Sequence, residues 1–139
     1  MNLVHHHVGV SVTDLDRARK WYAEVLGMTE GYAFEIPPVG VRGCFMEGNG
    51  GRVELIERDG SEPGIGGRAP NTALLTRGYG HIAFTAEDLD ATYAELVARG
   101  AVGVWEPRPS PQPEVRMAFI ADIDGNLIEI MAAVLGKTV

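Results

Sequence analysis

The sequence predicts an α+β fold made of two copies of one β-α-β-β-β unit. Two observations indicate this. First, the segment "HVGVSVTDLD" at 7–16 returns as "HIAFTAEDLD" at 81–90, without a gap and 74 positions later. Second, each copy continues with a helical pattern and then with short apolar runs separated by turn residues. Self-similarity at this period indicates two copies of one supersecondary unit.

The first module shows the order of elements most clearly. A run of β-branched and apolar residues at 7–12 leads to Asp14, a residue type that favours the N-cap of a helix. Apolar residues then recur at helical spacing up to Gly27, which suits the left-handed position beyond a helix end. Turn residues such as "NGGR" separate the apolar runs that follow. The sequence predicts strands at 31–36, 41–47 and 52–57.

The second module repeats this order. Its predicted first strand is 81–86, its helix begins after the N-cap Asp88, and Gly100 follows the helix. The Pro-rich stretch 106–113 is expected to be an exposed loop. The later strands are predicted at 102–106, 115–121 and 127–132.

Composition narrows the class of protein. The chain has 139 residues and suits one domain, with modules at about 1–57 and 79–135 and a Gly- and Pro-rich linker at 58–78. A net charge of −7 argues against a nucleic-acid partner. No apolar run has the length of a membrane span and no signal peptide is visible, so we expect a cytoplasmic protein with no membrane partner. Cys44 is the only cysteine, which excludes an intrachain disulfide.

Four residues are candidate metal ligands. His7 and His81 lie in the first predicted strands of their modules, and Glu54 and Glu129 lie in the last, at matched spacing. Each glutamate interrupts an apolar run, "VELI" or "IEIM", where an inward-facing unpaired carboxylate would be costly. A divalent cation would offset that cost, because imidazole and carboxylate are suitable metal ligands. Each residue alone also fits an ordinary role, as a hydrogen-bonded core histidine or a solvent-facing glutamate.

The run of three histidines at 5–7 contains one of these candidates. Side chains alternate between the two faces of a strand, so His5 and His7 are expected on one face and His6 on the other. The alignment of His7 with His81 selects His7 as the ligand. His5 and His6 are expected to be partly exposed residues at the strand entry.

The two modules together resemble the vicinal oxygen chelate superfamily, which includes glyoxalase I, methylmalonyl-CoA epimerase, bleomycin-binding proteins and extradiol dioxygenases. The resemblance covers nearly the whole chain. Its motifs are "HHVGVSVTDLDRARKWYAEVLGM", "GYGHIAFTAEDLDATYAELVARG" and "AFIADIDGNLIEIM". It implies a glyoxalase-like fold in which paired βαβββ modules form a cupped, partly open β-barrel around one divalent metal ion.

The resemblance also implies a ligand set. The first and last strands of each module would be neighbours, and His7, Glu54, His81 and Glu129 match the four metal-ligand positions of the family one by one. The implied cofactor is one divalent metal ion per site, namely Ni, Co, Zn, Mn or Fe. The implied partners are a small-molecule substrate with vicinal oxygens and a second copy of the chain in a homodimer. The metal site would lie either within one chain or across the dimer interface.

The His-Glu-His-Glu set is most similar to that of bacterial glyoxalase I and implies a metal-dependent lyase or isomerase. In such a reaction a carboxylate removes a proton next to a metal-bound carbonyl, through an enediolate-like intermediate. Glu129 is the first candidate for this base and Glu54 the second. Two alternatives remain open, an Fe(II)-dependent ring-cleaving type of dioxygenase and a non-catalytic small-molecule binding or resistance protein.

Five further residues are weaker candidates for a substrate pocket. Arg42 and Arg116 would bind an anionic substrate group if their strands turn them towards the cup, and would otherwise be exposed. Aromatic side chains would line the pocket or pack in the core, and these are Phe45, Trp105 and Phe119.

Overall fold

The computed structural model describes residues 1–134, which belong to two compact units. The first unit runs from Met1 to Glu62 and the second begins at Pro63, inside the predicted linker. The predicted end of the second module, residue 135, lies outside the described residues, and the predicted domain bounds stay a prediction. The first unit contains β1 Val8–Val12, α1 Leu15–Glu24, β2 Thr29–Ile36, a 3-10 turn Pro37–Val39, β3 Val41–Gly48 and β4 Gly51–Arg58. The second contains α2 Pro70–Ala73, β5 His81–Thr85, α3 Leu89–Ala98, β6 Val102–Pro109, β7 Val115–Ala121 and β8 Leu127–Ala133.

Each unit contains one four-stranded mixed sheet. The strand order is β1-β4-β3-β2 in the first unit and β5-β8-β7-β6 in the second. β1 is parallel to β4 and β5 is parallel to β8, whereas the other neighbouring strands are antiparallel. Parallel neighbours need a crossover connection, and α1 and α3 lie within these connections. The predicted α+β fold with two βαβββ modules is confirmed, with the first and last strands of each module side by side.

The two longer helices begin at the predicted aspartates. The side chain of Asp14 accepts a hydrogen bond from the backbone N–H of Arg17, and that of Asp88 accepts one from Ala91, each at 3.0 Å. These bonds satisfy donors that the first turn of a helix leaves without a backbone partner. Both helices have 10 residues. No helix between residues 1 and 134 is long and apolar enough to cross a membrane.

Each sheet buries one face against its own helix. In β4, Val53 and Leu55 are buried on either side of Glu54, and in β8 two buried isoleucines flank Glu129 in the same way. Side chains alternate along a strand, so the buried residues occupy one face and the glutamates the other. The apolar runs "VELI" and "IEIM" therefore present their carboxylates on the sheet face opposite the helix.

Most strands differ from the prediction at a boundary, usually by one or two residues, and two of the differences bear on the candidate site. β6 continues to Pro109, although the sequence predicts an exposed loop at 106–113. This is possible because β6 is an edge strand, where the N–H donor that a proline lacks is not needed to bond a second neighbouring strand. β1 begins at Val8, one residue later than predicted, so the run of histidines at 5–7 precedes the strand.

Candidate metal centre

The first module places His7 against Glu54. Glu54 lies in β4 opposite Gly9 of β1, and His7 lies immediately before β1, next to Val8. The Nε2 atom of His7 lies 3.2 Å from Oε2 of Glu54. The Glu54 side chain is only 17% exposed, and the structure gives it no other polar partner among residues 1–134.

The second module builds the same pair in the same register. Glu129 lies in β8 opposite Ala83 of β5, and His81 precedes Ala83 by two positions. The Nε2 atom of His81 lies 3.1 Å from Oε2 of Glu129, whose side chain is 12% exposed. Both modules thus pair an imidazole with a carboxylate through one parallel strand pair.

Each pair brings together two side chains of metal-coordinating type. The imidazole side chains are about one third exposed, so solvent reaches the donors while the carboxylates stay sheltered. Imidazole nitrogen and carboxylate oxygen together suit the divalent first-row ions. No group of three or more His, Cys, Asp or Glu side chains gathers as a metal site within the part of the chain that the structure describes. Each unit by itself therefore supplies one imidazole and one carboxylate, groups of the kinds that coordinate divalent ions.

An aromatic ring packs on the histidine of each pair. Phe45 of β3 meets the first histidine edge to face, with ring centroids 5.2 Å apart, and Phe119 of β7 meets the second at the same distance. Trp105 of β6 packs on Phe119, with centroids 5.6 Å apart. The structure brings these three predicted aromatic residues to the sheet face that carries the His–Glu pair, opposite the helix. This face is called the His–Glu face of each sheet. Phe119 also belongs to a buried cluster with Ala73 and Leu127, so core packing contributes to its position.

Comparison with known proteins matches most of the chain to one family. The model of the "Glyoxalase/Bleomycin resistance protein/Dioxygenase superfamily" matches residues 5–130, a range that contains both His–Glu pairs. The chain belongs to this superfamily. The resemblance inferred from the sequence motifs is therefore confirmed for a range that includes both modules.

Individual members of the superfamily show the same relationship. A "Probable lactoylglutathione lyase" of Synechocystis sp. is 28% identical over 129 residues, which cover 90% of this chain and 92% of that protein. The mitochondrial methylmalonyl-CoA epimerase of Bos taurus is 37% identical over 62 residues. These residues cover 45% of this chain and 35% of the epimerase chain. The crystal structure of glyoxalase I from Zea mays matches with a TM-score of 0.71 and 28% identity. That match covers 90% of this chain but 43% of the maize chain, so this chain spans less than half of it.

The two arginines predicted as weaker candidates for a substrate pocket lie on the helix-packed face of their sheets, opposite the His–Glu pairs. Arg42 donates to Glu57 (Nη2 to Oε2, 2.9 Å), and Glu57 also accepts from the backbone N–H of Leu15 at 2.6 Å. The bond from Arg42, and then the one from Leu15, lowers the pKa of Glu57. Arg116 donates to Asp90 of α3 at 3.1 Å, and this bond lowers the pKa of Asp90. These ion pairs lie on the helix-packed face, and nothing in the placement supports a substrate-binding role for either arginine.

His6 is a residue near the site that sequence analysis assigned to the wrong face. Its Nδ1 atom lies 2.7 Å from Nδ1 of His7, and its ring lies 6.0 Å from that of Phe45. The alternation of faces holds only inside a strand, and β1 begins after the histidines, at Val8. Nothing in the sequence pattern signals this contact, because it depends on where the strand begins.

Arg108 is a second residue that sequence analysis missed on the His–Glu face. It lies in β6 opposite Met117 of β7, two residues along the strand from Phe119 and on the same face. Its guanidinium carbon lies 4.8 Å from the centroid of the Trp105 ring, and its Nε donates to the backbone oxygen of Glu106 at 3.1 Å. The structure gives it no carboxylate partner within residues 1–134. Because the sequence predicts a loop at this position, it does not predict that the side chains of Trp105 and Arg108 lie together.

Proposed function

We propose that the chain is a divalent-metal-dependent lyase or isomerase of the glyoxalase and epimerase type. His7, Glu54, His81 and Glu129 bind one metal ion in this proposal. The observation that carries it is the repetition of one His–Glu pair in both modules, with Nε2–Oε2 separations of 3.2 and 3.1 Å. The names of the relatives, lactoylglutathione lyase and methylmalonyl-CoA epimerase, support the reaction class.

The carboxylates of the pairs supply the acid–base chemistry. A divalent ion, when bound, would hold two vicinal oxygens of the substrate and polarise its carbonyl group. Glu129 acts as the base, takes the proton from the carbon next to that carbonyl and returns it to the product. Glu54 is the second candidate for this role. Phe119 packs against His81 and restricts the rotation of the imidazole, which keeps the histidine beside Glu129.

Arg108 and Trp105 suggest the charge of the substrate. Lactoylglutathione and methylmalonyl-CoA, the compounds in the names of the relatives, both carry negative groups away from the reacting carbon. A guanidinium that stacks on an aromatic ring keeps its outer N–H donors available for a carboxylate or a phosphate. Arg108 binds such a group in this proposal, and the ring of Trp105 holds the guanidinium in place.

Metal content is the first test. Untagged protein is purified without chelator and its metal is measured per chain by elemental mass spectrometry. The proposal expects about one equivalent of a first-row divalent metal per four-ligand site. The variants His7→Ala and His81→Ala should each lose most of it, whereas His5→Ala, outside the pairs, should retain it. Protein that contains no metal, and takes up none on reconstitution, would refute the metal-dependent function.

Proton exchange tests the reaction itself. The metal-loaded protein is incubated in deuterium oxide with S-lactoylglutathione and, separately, with methylmalonyl-CoA. Deuterium should enter at the carbon next to the thioester carbonyl of at least one compound, and chelator should stop the exchange. Oxygen consumption with a catechol and no exchange would favour the dioxygenase. Ligand binding that needs no metal, again without exchange, would favour a binding protein.

Light scattering in solution tests the expected homodimer.

A further inference from the structure

Two side chains, Arg52 and His6, extend the first His–Glu pair into one continuous series of hydrogen bonds. Arg52 of β4 approaches His6 (Nη1 to Nε2, 2.9 Å), and His6 approaches His7 through their two Nδ1 atoms at 2.7 Å. His7 in turn lies 3.2 Å from Glu54 through its Nε2 atom. All four residues belong to the first unit. The series therefore links an arginine, which always donates, to a carboxylate, which always accepts.

The two ends of the series determine where the protons lie in the metal-free protein. Arg52 donates, so Nε2 of His6 accepts, and the proton of a neutral His6 must lie on Nδ1. His6 then donates from Nδ1 to Nδ1 of His7, which leaves the proton of His7 on Nε2. That proton points at Glu54. Each contact has one donor and one acceptor only with this arrangement of protons.

A metal ion at His7 would reverse this arrangement. An imidazole that binds a metal through Nε2 carries its proton on Nδ1. His7 must then donate to His6, and a neutral His6 must carry its own proton on Nε2, which faces the donor Arg52. Two donors cannot share a hydrogen bond, so the contact between His6 and Arg52 opens. Arg52 keeps a carboxylate partner in Glu47, at 3.2 Å, and is not left without an acceptor.

The second module has no equivalent of this series. Gly80 occupies the position before His81 that His6 occupies before His7, and it has no side chain to offer. The repeat therefore explains the ligands of both modules but not His6. An independent role for His6 has to come from its contacts in the first module.

We infer that His6 is a positioning residue for His7, and that the side chains of Arg52, His6 and His7 form a relay whose protons shift when His7 binds a metal ion. This inference rests on the metal site proposed above. When the metal ion binds, the Nε2 proton of His7 leaves to solvent, the Nδ1 proton of His6 passes to Nδ1 of His7, and His6 takes one proton from solvent on Nε2. His6 then orients the imidazole of His7 by accepting a hydrogen bond from its Nδ1–H, because a hydrogen-bond partner on the second ring nitrogen directs a histidine ligand. Arg52 favours the metal-free arrangement of protons.

Nitrogen NMR of the histidine rings tests the relay directly. Long-range proton–nitrogen spectra at mildly alkaline pH, where unperturbed imidazoles are neutral, identify the nitrogen that carries the proton. In the metal-free protein His6 should carry its proton on Nδ1 and His7 on Nε2. Addition of Zn²⁺ should move the His6 proton to Nε2. A His6 proton on Nε2 before zinc is added, or one that stays on Nδ1 when zinc binds His7, would overturn the relay.

Zinc affinity provides a second and separate readout. His6→Phe keeps a ring against Phe45 but removes the nitrogens, and we expect it to weaken zinc binding about 10- to 100-fold, the usual effect of losing such a partner. His6→Asn places an amide near the position of Nδ1 that can donate or accept, and it should restore most of the affinity. His5→Phe is the matched control and should bind like the wild type. Urea unfolding of each metal-free variant shows whether the fold is retained.

Two outcomes of the zinc experiments distinguish failure of the relay from failure of the proposed metal site. If wild-type protein binds no zinc, the proposed metal site fails, whatever the arrangement of the histidine protons. If wild type and His6→Phe bind zinc equally well while His7→Ala does not, the metal site stands and the role of His6 is refuted.

Discussion

Glu57 joins three segments of the first module, and its replacement by glutamine tests how that module is held together. Its Oε2 atom accepts from the backbone N–H of Leu15, the first residue of α1, at 2.6 Å and from Arg42 of β3 at 2.9 Å. Its side chain is 22% exposed. Glu57→Gln keeps the shape and one acceptor oxygen but removes the charge. We expect this variant to be less stable than the wild type at neutral pH.

The magnitude follows from the two bonds. A hydrogen bond to a charged group contributes about 1.5–3 kcal/mol and a neutral one about 0.5–1.5 kcal/mol, so making the bond from Leu15 neutral costs about 1 kcal/mol. Loss of the bond from Arg42 adds little, because that guanidinium is exposed and solvent screens the pair. The free energy of unfolding should therefore fall by about 1 kcal/mol, mainly through the weaker tie at the start of α1.

Urea unfolding followed by tryptophan fluorescence measures this change, since Trp21 is buried on α1. Asp90→Asn is the matched control, because it breaks the ion pair with Arg116 in the second module. Asp90→Asn should lower the free energy of unfolding clearly less than Glu57→Gln does.

The pH dependence has a definite sign. The pKa of Glu57 is lowered in the folded protein, chiefly by Arg42, so its contribution is present above the usual glutamate pKa of about 4.3 and is lost as the pH falls through the lowered value. The difference in the free energy of unfolding between wild type and Glu57→Gln should become smaller at acidic pH. A difference that is the same at all pH values, or no larger than that of the control, would refute the reasoning.

Three further predictions concern the site and the core. Glu129→Gln should lower the rate of deuterium exchange about 10²- to 10⁴-fold, as expected for loss of a general base, and a larger loss in Glu54→Gln would reverse the two assignments. Arg108→Gln should raise KM for methylmalonyl-CoA about tenfold through loss of one charge-assisted pair, whereas Arg99→Gln, just after the end of α3, should leave KM unchanged. Cys44 is fully buried, which raises the pKa of its thiol, so it should react with Ellman's reagent only after unfolding, and rapid reaction in the folded protein would contradict this.

The fold could be predicted from the sequence because its signals are local and occur twice. The caps Asp14 and Asp88 are recognisable from residue type, and the comparison of two copies distinguishes such a signal from chance. The length of β6 could not be predicted, because a proline such as Pro109 is compatible with a strand only at a sheet edge. Position at an edge is a property of strand pairing, which the residues of the strand do not contain.

The candidate site was predictable to the same extent. His7 and Glu54 could be paired from the repeat and the resemblance, and the structure shows them in contact. The face that Arg42 occupies depends on the register of β3 with β4, and the position of His6 depends on the residue at which β1 begins. Both are set by pairing between strands, so inspection of single residues could not reveal them.

The two modules share a His–Glu pair but differ in what surrounds it. The first module adds His6 and Arg52 next to its histidine, and the second adds Trp105 and Arg108 on its His–Glu face. Duplication explains the common His–Glu pairs, whereas these additions occur in one module each. We assign the control of metal binding to the first module and contact with the substrate to the second.

This division of roles predicts how two substitutions combine. His6→Phe should weaken zinc binding without changing KM of the fully metal-loaded enzyme, and Arg108→Gln should raise KM without changing the zinc affinity. The double variant should then show both effects at their single-variant size, since independent sites contribute additively. Zinc titration and exchange kinetics on the four proteins measure this. A zinc affinity that depends on the residue at position 108 would show that the two sets of contacts are coupled and that the assignment is wrong.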